Sequence, residues 1–270
     1  MTSTLTPAAP ARVTVRPPLG GWAARDTAAM VGRSLRRSLR TPDTLIMGIA
    51  LPVILMLLFV YVFGGAIRTD QSYVDYVVPG IILLCAGYGA ATTAVSVASD
   101  MTGGLMNRFR TLPVRPVAAL TGHVVESVVR NAVSTALVVG VAYAAGFRPT
   151  AGPAEWLATA GLVLLYVLAL TWTSVAIGIV SSGPEAANGF SFAIMFLPYV
   201  SSAFVPPESM PRVLEVFATY QPITPVTDTV RAWLTGVPGG QPLVAVAWCA
   251  GLLVVARLVA AWLFRRRAAR

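Results

Sequence analysis

The sequence predicts an all-α membrane protein with six transmembrane helices, an N-terminal interfacial helix, and short outer-leaflet helices before the last span. Three observations support this fold class. Of the 270 residues, 56% are hydrophobic and only 11% are charged. The mean hydropathy is +0.72. The apolar runs are continuous rather than alternating, which favours helices over the strands of a transmembrane barrel.

A helix needs about 20 apolar residues to cross the hydrocarbon core of a bilayer. Six runs of the sequence meet this requirement, and charges inside them are sparse. The predicted spans are residues 44–67, 76–99, 124–147, 156–181, 186–204 and 242–264. We expect the six helices to form one domain over residues 21–267.

The first 40 residues precede the first span and divide into two parts. Residues 1–20 are rich in proline and small polar residues, which predicts a disordered cytoplasmic tail. In residues 22–40, apolar and basic side chains fall on different helical faces. The apolar face contains Ala28, Val31, Leu35 and Leu39, and the basic face contains Arg33, Arg36, Arg37 and Arg40. This pattern predicts an interfacial helix, and it equally suits a positively charged topology anchor.

Arginine supplies all 20 basic residues, since the chain contains no lysine. Seven arginines precede the first span, three follow the second span and four end the chain, so fourteen lie on one side of the membrane against four on the other. The positive-inside rule therefore predicts a multi-pass protein of the cell (inner) membrane with both termini cytoplasmic. Anionic lipid headgroups explain the net charge of +9, and no nucleic-acid partner is expected.

The connection 100–115, between the second and third spans, combines arginines with apolar side chains, and Pro113 stiffens its end. Such a segment suits contact with a partner on the water side, although its arginines could serve only the positive-inside rule. The contact residues that we expect are Leu105, Met106, Arg108, Phe109, Arg110 and Leu112.

Glu126 and Arg130 stand four residues apart near the start of the third span, so we expect an ion pair on one helix face. Two interpretations of the pair stay open. The pair is either a structural hinge between the 100–115 segment and the bundle, or two charges that only neutralise each other at the membrane edge.

Two spans carry faces that could line a path through the bundle. The second span has a polar stripe at helical spacing, which could equally make interhelical hydrogen bonds. Its members are Tyr88, Thr92 and Ser96. The fifth span has an aromatic face and a proline, Pro198, that is expected to kink the helix, and this face could equally meet lipid or a second subunit. Its members are Asn188, Phe192, Phe196 and Tyr199.

Residues 205–241 form the longest external segment. Two short apolar-periodic pieces, 211–220 and 226–234, are separated by the proline-rich residues 221–225. Neither piece is long enough to span a bilayer. We therefore predict a re-entrant segment of two short helices that dip into the outer leaflet under the protection of protein.

The residue types present exclude several kinds of chemistry. A phosphate-binding P-loop needs a lysine, so ATP and its Mg would have to be bound by a separate subunit, and no cofactor is expected on this chain. His123 is the sole histidine, and a two-histidine zinc site or a serine–histidine–aspartate triad is not expected. A membrane-embedded enzyme is therefore disfavoured.

Three blocks of the sequence, in this order and with this topology, resemble the type-2 ABC exporter permeases, most closely their daunorubicin-resistance-like branch. The first is the basic turn 109–115 after Gly103 and Gly104. The second is the exit of the fifth span, 201–211, where the family often has Ser-Gly in place of Ser202 and Ala203. The third is 221–225 with Asp228, Arg231 and Gly236.

The resemblance covers residues 22–267. It implies a permease that pairs with a second copy of itself or a homologous permease and works with two ABC ATPase subunits. We predict that the 100–115 segment, together with Glu126 and Arg130, couples the permease to the ATPase. The polar and aromatic faces are the candidate substrate path. Lipophilic small molecules or drugs are the expected substrates, and lipids, glycolipids or polysaccharides are the alternative. An ion-coupled secondary transporter is less favoured, because Arg130 and Arg257 are expected near the cytoplasmic ends of their spans.

Overall fold

The computed structural model describes residues 32, 42–65, 67, 72–103 and 116–268. In the three long stretches the chain forms eight α-helices and no β-strand. The helices are α1 (Pro42–Leu58), α2 (Tyr73–Thr102), α3 (Pro116–Ala144), α4 (Pro153–Val180), α5 (Pro184–Phe196), α6 (Arg212–Tyr220), α7 (Ile223–Thr235) and α8 (Pro242–Ala268).

Four of these helices are long and apolar enough to cross a membrane over Tyr73–Thr102, Leu120–Ala144, Pro153–Val180 and Pro242–Arg267. The predicted all-α membrane fold is thereby confirmed. The first predicted span corresponds to α1 and a following π-helical turn at Phe59–Phe63. The fifth corresponds to α5, which has 13 residues and passes into a 3-10 turn over Leu197–Val200. Because both are shorter than the other four, the number of six spans stays a prediction.

Pro198, which the sequence predicted to kink the fifth span, stands where α5 gives way to a 3-10 turn. Proline lacks the N–H that an α-helix would use at this position, so the chain continues as a 3-10 turn over Leu197–Val200. The turn brings the 201–211 block back over the bundle.

Helix α2 lies at the centre of the bundle and packs against α3, α4 and α5. Val77, Ile81 and Leu84 are fully buried within it. The crossing of α2 and α4 is close enough to require Gly178, where a Cβ would lie 2.6 Å from the carbonyl oxygen of Ala94. Helix α8, by contrast, exposes many large apolar side chains, which is what a lipid-facing helix requires.

Two sets of contacts define the two ends of the bundle. At one end, the backbone N–H of Thr150 donates to the carbonyl of Leu234 at 2.9 Å, so the α3–α4 connection meets the 205–241 segment. At the other end, Arg267 donates to the carbonyl of Ser181 at 3.3 Å. The 205–241 segment and the C-terminal arginines therefore lie at opposite ends, as the predicted alternation of spans requires.

Residues 205–241 contain two short helices, α6 and α7, as expected. Helix α7 begins at Ile223, three residues before the predicted start, so Pro225 stands in its first turn. The first turn of a helix leaves its N–H groups without intrahelical partners, and proline is therefore tolerated there.

Several predicted features lie outside the described residues. They are the tail 1–20, the interfacial helix 22–40 apart from Gly32, and the part of the 100–115 segment that carries Leu105, Met106, Arg108, Phe109, Arg110 and Leu112.

Candidate functional site

Arg231 on α7 is the centre of a polar network at the 205–241 end of the bundle. Its side chain is buried, and each of its three nitrogens has a partner. Nη1 pairs with Oδ1 of Asp228 at 2.6 Å, Nη2 donates to the carbonyl of Ser202 at 2.6 Å, and Nε donates to the carbonyl of Tyr76 at 3.1 Å. The guanidinium also lies 3.9 Å from the centre of the Tyr76 ring. Arg231 therefore joins α7, α2 and the turn after α5.

Ser202 is the second member of this network. Its hydroxyl donates to Oδ1 of Asp228 at 2.6 Å, and its backbone N–H donates to the hydroxyl of Thr224 at 3.3 Å. The Tyr76 hydroxyl donates to the Ser202 carbonyl at 2.9 Å. These bonds bring together the 201–211 block and the block that begins at residue 221, which the sequence analysis had identified separately.

Opposing effects act on the pKa of the Asp228 carboxyl. Burial raises the pKa of this carboxyl above its ordinary value, while the hydrogen bond from Ser202 and the charge of Arg231 act to lower it. Burial is the largest of these effects. The ion pair is therefore held in a partly desolvated position, where losing either partner is costly.

Ala203 stands where the family that the sequence resembles often has glycine, and the structure explains how the alanine is accommodated. No non-glycine residue in the described part of the chain has a positive φ, so Ala203 needs no special backbone. Its methyl group packs on Gly80 of α2, where an added Cβ would lie 2.6 Å from the Cβ of Ala203. The space for the methyl group is thus supplied by the facing glycine.

A cavity of about 720 Å³ opens beside this network, and we call it the α7 cavity. Its wall includes the network residues together with carboxylate, aromatic and proline side chains. The residues that matter below are Tyr76, Asp228, Arg231, Glu208, Tyr220 and Trp248.

The predicted ion pair of Glu126 and Arg130 is confirmed, and both side chains are buried. Arg130 also donates to the carbonyl of Gly89 at 2.8 Å and to the hydroxyl of Thr93 at 3.1 Å. Gly89 lies near the middle of α2, so the pair stands deeper than the membrane edge at which the sequence analysis expected it. The reason is that α3 begins at Pro116 rather than at residue 124.

A hydrogen-bonded group next to this pair was missed by sequence reasoning. Asn131 donates to the carbonyl of Ser127 at 2.9 Å, and the hydroxyls of Ser127 and Thr171 are 3.0 Å apart. A Cβ on Gly89 would collide with the Asn131 amide. Small residues thus let α3 and α4 approach α2 closely, as in other helix contacts within membranes.

The structure brings together only part of the predicted substrate path. Tyr88 on α2 and Tyr199 after α5 interact through their side chains. The hydroxyl of Thr92 donates to the carbonyl of Gly89 on its own helix at 2.9 Å, and Ser96 is half-buried.

The remaining path residues lie on the outer surface of the single chain. Asn188 is exposed, and Phe192 and Phe196 are 46% and 56% exposed. The two phenylalanine rings stack with centres 6.2 Å apart, and Phe196 contacts Tyr199 at 5.7 Å. This aromatic face is available to lipid, substrate or a second subunit. Among the described residues, no group of three or more histidine, cysteine, aspartate or glutamate side chains is placed to hold a metal ion.

Comparison with known proteins identifies the family. The profile of the ABC-2 type transporter family matches residues 25–235. The daunorubicin resistance ABC transporter permease protein DrrB1 of Streptomyces coeruleorubidus is 30% identical over 203 residues, which cover 73% of this chain and 71% of that protein. The probable doxorubicin resistance ABC transporter permease protein DrrC of Mycobacterium tuberculosis is 25% identical over 243 residues, which cover 89% of this chain and 88% of that protein. The resemblance of the three sequence blocks is thereby confirmed. The chain belongs to the ABC-2 type transporter family and is a multi-pass membrane permease, the component of an ABC transporter that is separate from its ATPase.

Proposed function

We propose that this chain is the membrane-spanning subunit of an ATP-driven exporter that moves a lipophilic small molecule or drug out of the cytoplasm or inner leaflet. The observation that carries the proposal is the similarity, over most of both chains, to two permeases named for daunorubicin and doxorubicin resistance. Two ABC ATPase subunits supply the energy, and they bind ATP and Mg. The absence of lysine from this chain supports that division, because a P-loop requires one.

The proposed location is the cell (inner) membrane with both termini cytoplasmic. Arg265, Arg266 and Arg267 all stand in the last turn of α8, at the end of the bundle opposite the 205–241 segment. An excess of arginine beside the cytoplasmic ends of spans is the expected pattern. The 205–241 segment then lies on the outer side.

A second copy of the chain or a homologous permease completes the transporter. The support for this pairing is the exposed aromatic face of α5, formed by Phe192 and Phe196 next to the Tyr88–Tyr199 contact. Two such faces opposite one another would enclose a path with aromatic walls, which suits a planar lipophilic substrate. The predicted path residues Thr92, Ser96 and Asn188 are its polar members.

Transport in inverted membrane vesicles tests the proposal. Vesicles that contain the chain and its cognate ATPase should accumulate daunorubicin only when ATP is supplied, and the accumulation should continue when an uncoupler removes the proton gradient. A variant ATPase without its P-loop lysine should be inactive. Uptake that depends on the proton gradient and not on ATP would point to a secondary transporter, and export of lipid or polysaccharide without drug uptake would change the substrate class.

A pair of variants separates the aromatic face from general membrane packing. Phe192→Ala with Phe196→Ala should raise the KM for the drug, because the substrate loses its aromatic contacts. Val254→Ala with Val255→Ala is the matched control, since both valines are exposed on α8, and it should leave the KM unchanged.

A further inference from the structure

The α7 cavity has the size of a small-molecule site. Its volume of about 720 Å³ falls within the range of roughly 300–1,000 Å³ that ligand pockets occupy. It differs from the aromatic face of α5 in composition, because charged, hydroxyl and aromatic side chains share its wall.

Three charged residues line the cavity, and the positive one is already satisfied. Arg231 uses all three of its nitrogens in the network with Asp228, Ser202 and Tyr76. It therefore has little capacity left to bind an anion. The charge that Arg231 carries is balanced by Asp228 alone.

The carboxylates, in contrast, keep unused acceptor capacity. Oδ1 of Asp228 accepts from both Ser202 and Arg231, whereas no described residue donates to Oδ2, and the side chain is 29% exposed. Glu208 is exposed and forms no hydrogen bond or ion pair with a described residue. One positive and two negative side chains leave the cavity with a net negative charge.

Aromatic side chains stand on the same wall. Tyr220 and Trp248 line the cavity and are both exposed. The face of an aromatic ring attracts cations and also packs against apolar groups. The attraction for a cation is strongest when the ring is tryptophan. The cavity thus offers a hydrogen-bond acceptor, negative charge and aromatic area to one occupant.

We propose that the α7 cavity binds a monovalent organic cation with an aromatic or apolar body, held by Glu208 and Asp228 and stacked on Trp248. This inference rests on the proposed export function, which it deepens by naming the substrate class. A cation that leaves the bundle at the 205–241 end would be retained there before release.

Binding of two ions of matched size and opposite charge tests the proposal. Tetraphenylphosphonium and tetraphenylborate have the same apolar body and opposite charge. Because the dipole potential of a bilayer makes the anion partition into lipid more strongly than the cation, binding is measured relative to empty nanodiscs of the same lipid. With the full-length chain in nanodiscs of neutral lipid, equilibrium dialysis should show saturable binding of tetraphenylphosphonium above this background and no saturable binding of tetraphenylborate. Absence of saturable binding of the cation, or equal saturable binding of both ions, would overturn the proposal.

Substitutions locate the binding in the cavity. Glu208→Gln should weaken tetraphenylphosphonium binding about two- to fivefold, the effect expected for one exposed charge, and Trp248→Ala should weaken it further. Glu215→Gln is the control, because Glu215 is a carboxylate of neighbouring α6 that does not line the cavity, and it should change nothing. Asp228→Asn removes the other carboxylate of the cavity but also disturbs the Arg231 network. If Asp228→Asn fails to fold, Glu208→Gln alone tests the role of negative charge.

The outcomes separate this inference from the proposed function. If Glu208→Gln and Trp248→Ala both bind the cation as the parent does, the cavity is not the site, whether or not drug export occurs. If the cation binds as expected while vesicles show no ATP-dependent drug uptake, the cavity site stands and the export function fails.

Discussion

Arg231 on α7 lies 3.9 Å from the centre of the Tyr76 ring on α2 and donates a hydrogen bond to the Tyr76 carbonyl at 3.1 Å. The two residues are 155 positions apart in the sequence. Their contact ties the 205–241 segment to the central helix of the bundle. A rearrangement of α2 that accompanies transport would therefore be transmitted to α7.

Removal of the Arg231 side chain should be strongly destabilising. Arg231→Ala leaves Asp228 partly buried without its positive partner, and breaking a buried ion pair in this way costs about 3–5 kcal/mol. Arg231→Lys should recover part of the loss, because a lysine keeps the charge but its single ammonium nitrogen cannot reach the three acceptors that the guanidinium fork spans. Thermal unfolding of the purified protein in detergent measures both effects.

The matched control is Arg212→Ala on α6. Arg212 also pairs with a carboxylate three residues away, but its side chain is 84% exposed and the distance to Glu215 is 3.4 Å. An exposed pair contributes only about 0–1 kcal/mol. Equal stability losses for Arg231→Ala and Arg212→Ala would contradict the anchoring of α7 by Arg231.

The difference between local and distant contacts explains how much of this protein could be predicted from sequence. Hydropathy identified the helices α2, α3, α4 and α8, because the signal lies within each segment. The Glu126–Arg130 pair was predicted for the same reason, since four residues place two side chains on one helix face.

The Arg231 network could not be predicted in this way. The bonds from Arg231 to Tyr76 and Ser202 depend on how α7 folds back over α2, and no local periodicity encodes that arrangement. The sequence blocks 201–211 and 221–236 indicated that these two regions matter. They did not indicate that the two regions contact each other. The depth of Arg130 was missed because the predicted span begins at residue 124, whereas α3 begins at Pro116.

The Gly80–Ala203 contact gives a second prediction. Gly80→Ala places a Cβ 2.6 Å from the Cβ of Ala203 and 2.8 Å from its carbonyl oxygen, so the turn after α5 must shift. Overpacking of this kind costs typically about 1–3 kcal/mol. Gly87→Ala on the same helix is the control, because the nearest neighbouring atom, the Cα of Met195, would be 3.9 Å from the added Cβ.

A reciprocal exchange sharpens this experiment. Gly80→Ala combined with Ala203→Gly should be more stable than Gly80→Ala alone, because the colliding methyl group is removed. Unfolding temperatures of the parent, the two single variants and the double variant give the coupling between Gly80 and Ala203 directly. Additive effects of the two substitutions would show that the residues do not face each other.

The Glu126–Arg130 pair should show strong non-additivity. Arg130→Met leaves the buried Glu126 charge without a partner, and Glu126→Gln likewise leaves Arg130, whereas the double variant leaves neither charge. We therefore expect the double variant to be more stable than Arg130→Met. If each single variant unfolds at the parental temperature, the pair contributes nothing to the assembly of α2 and α3.

Cysteine accessibility tests the proposed orientation. In a variant without Cys85 and Cys249, an impermeant maleimide added to intact cells should label a cysteine at Pro238 and spare one at Arg265. Both positions are exposed in the structure, so the difference reports the side of the membrane. After permeabilisation both should react. The reverse pattern in intact cells would place the 205–241 segment in the cytoplasm.

Coupling to the ATPase is predicted to depend on apolar contacts in the 100–115 segment, which is mostly outside the described residues. Exposed ion pairs contribute only about 0–1 kcal/mol each, so Leu105, Met106, Phe109 and Leu112 should supply most of the contact, while Arg108 and Arg110 set orientation. Phe109→Ala with Arg110→Ala should abolish transport and the stimulation of ATPase activity by substrate, without loss of membrane insertion.

Two further variants separate this coupling from the positive-inside rule. Phe109→Ala alone keeps every arginine, so the rule predicts parental transport, whereas a coupling contact predicts a large loss. Arg110→Lys keeps the charge and should retain most activity. Arg265→Ala removes another arginine that the positive-inside rule assigns to the cytoplasmic side, and it is the control. If the double variant at Phe109 and Arg110 exports drug at the parental rate, the ATPase docks elsewhere, and the turn at residues 181–185 becomes the next segment to substitute.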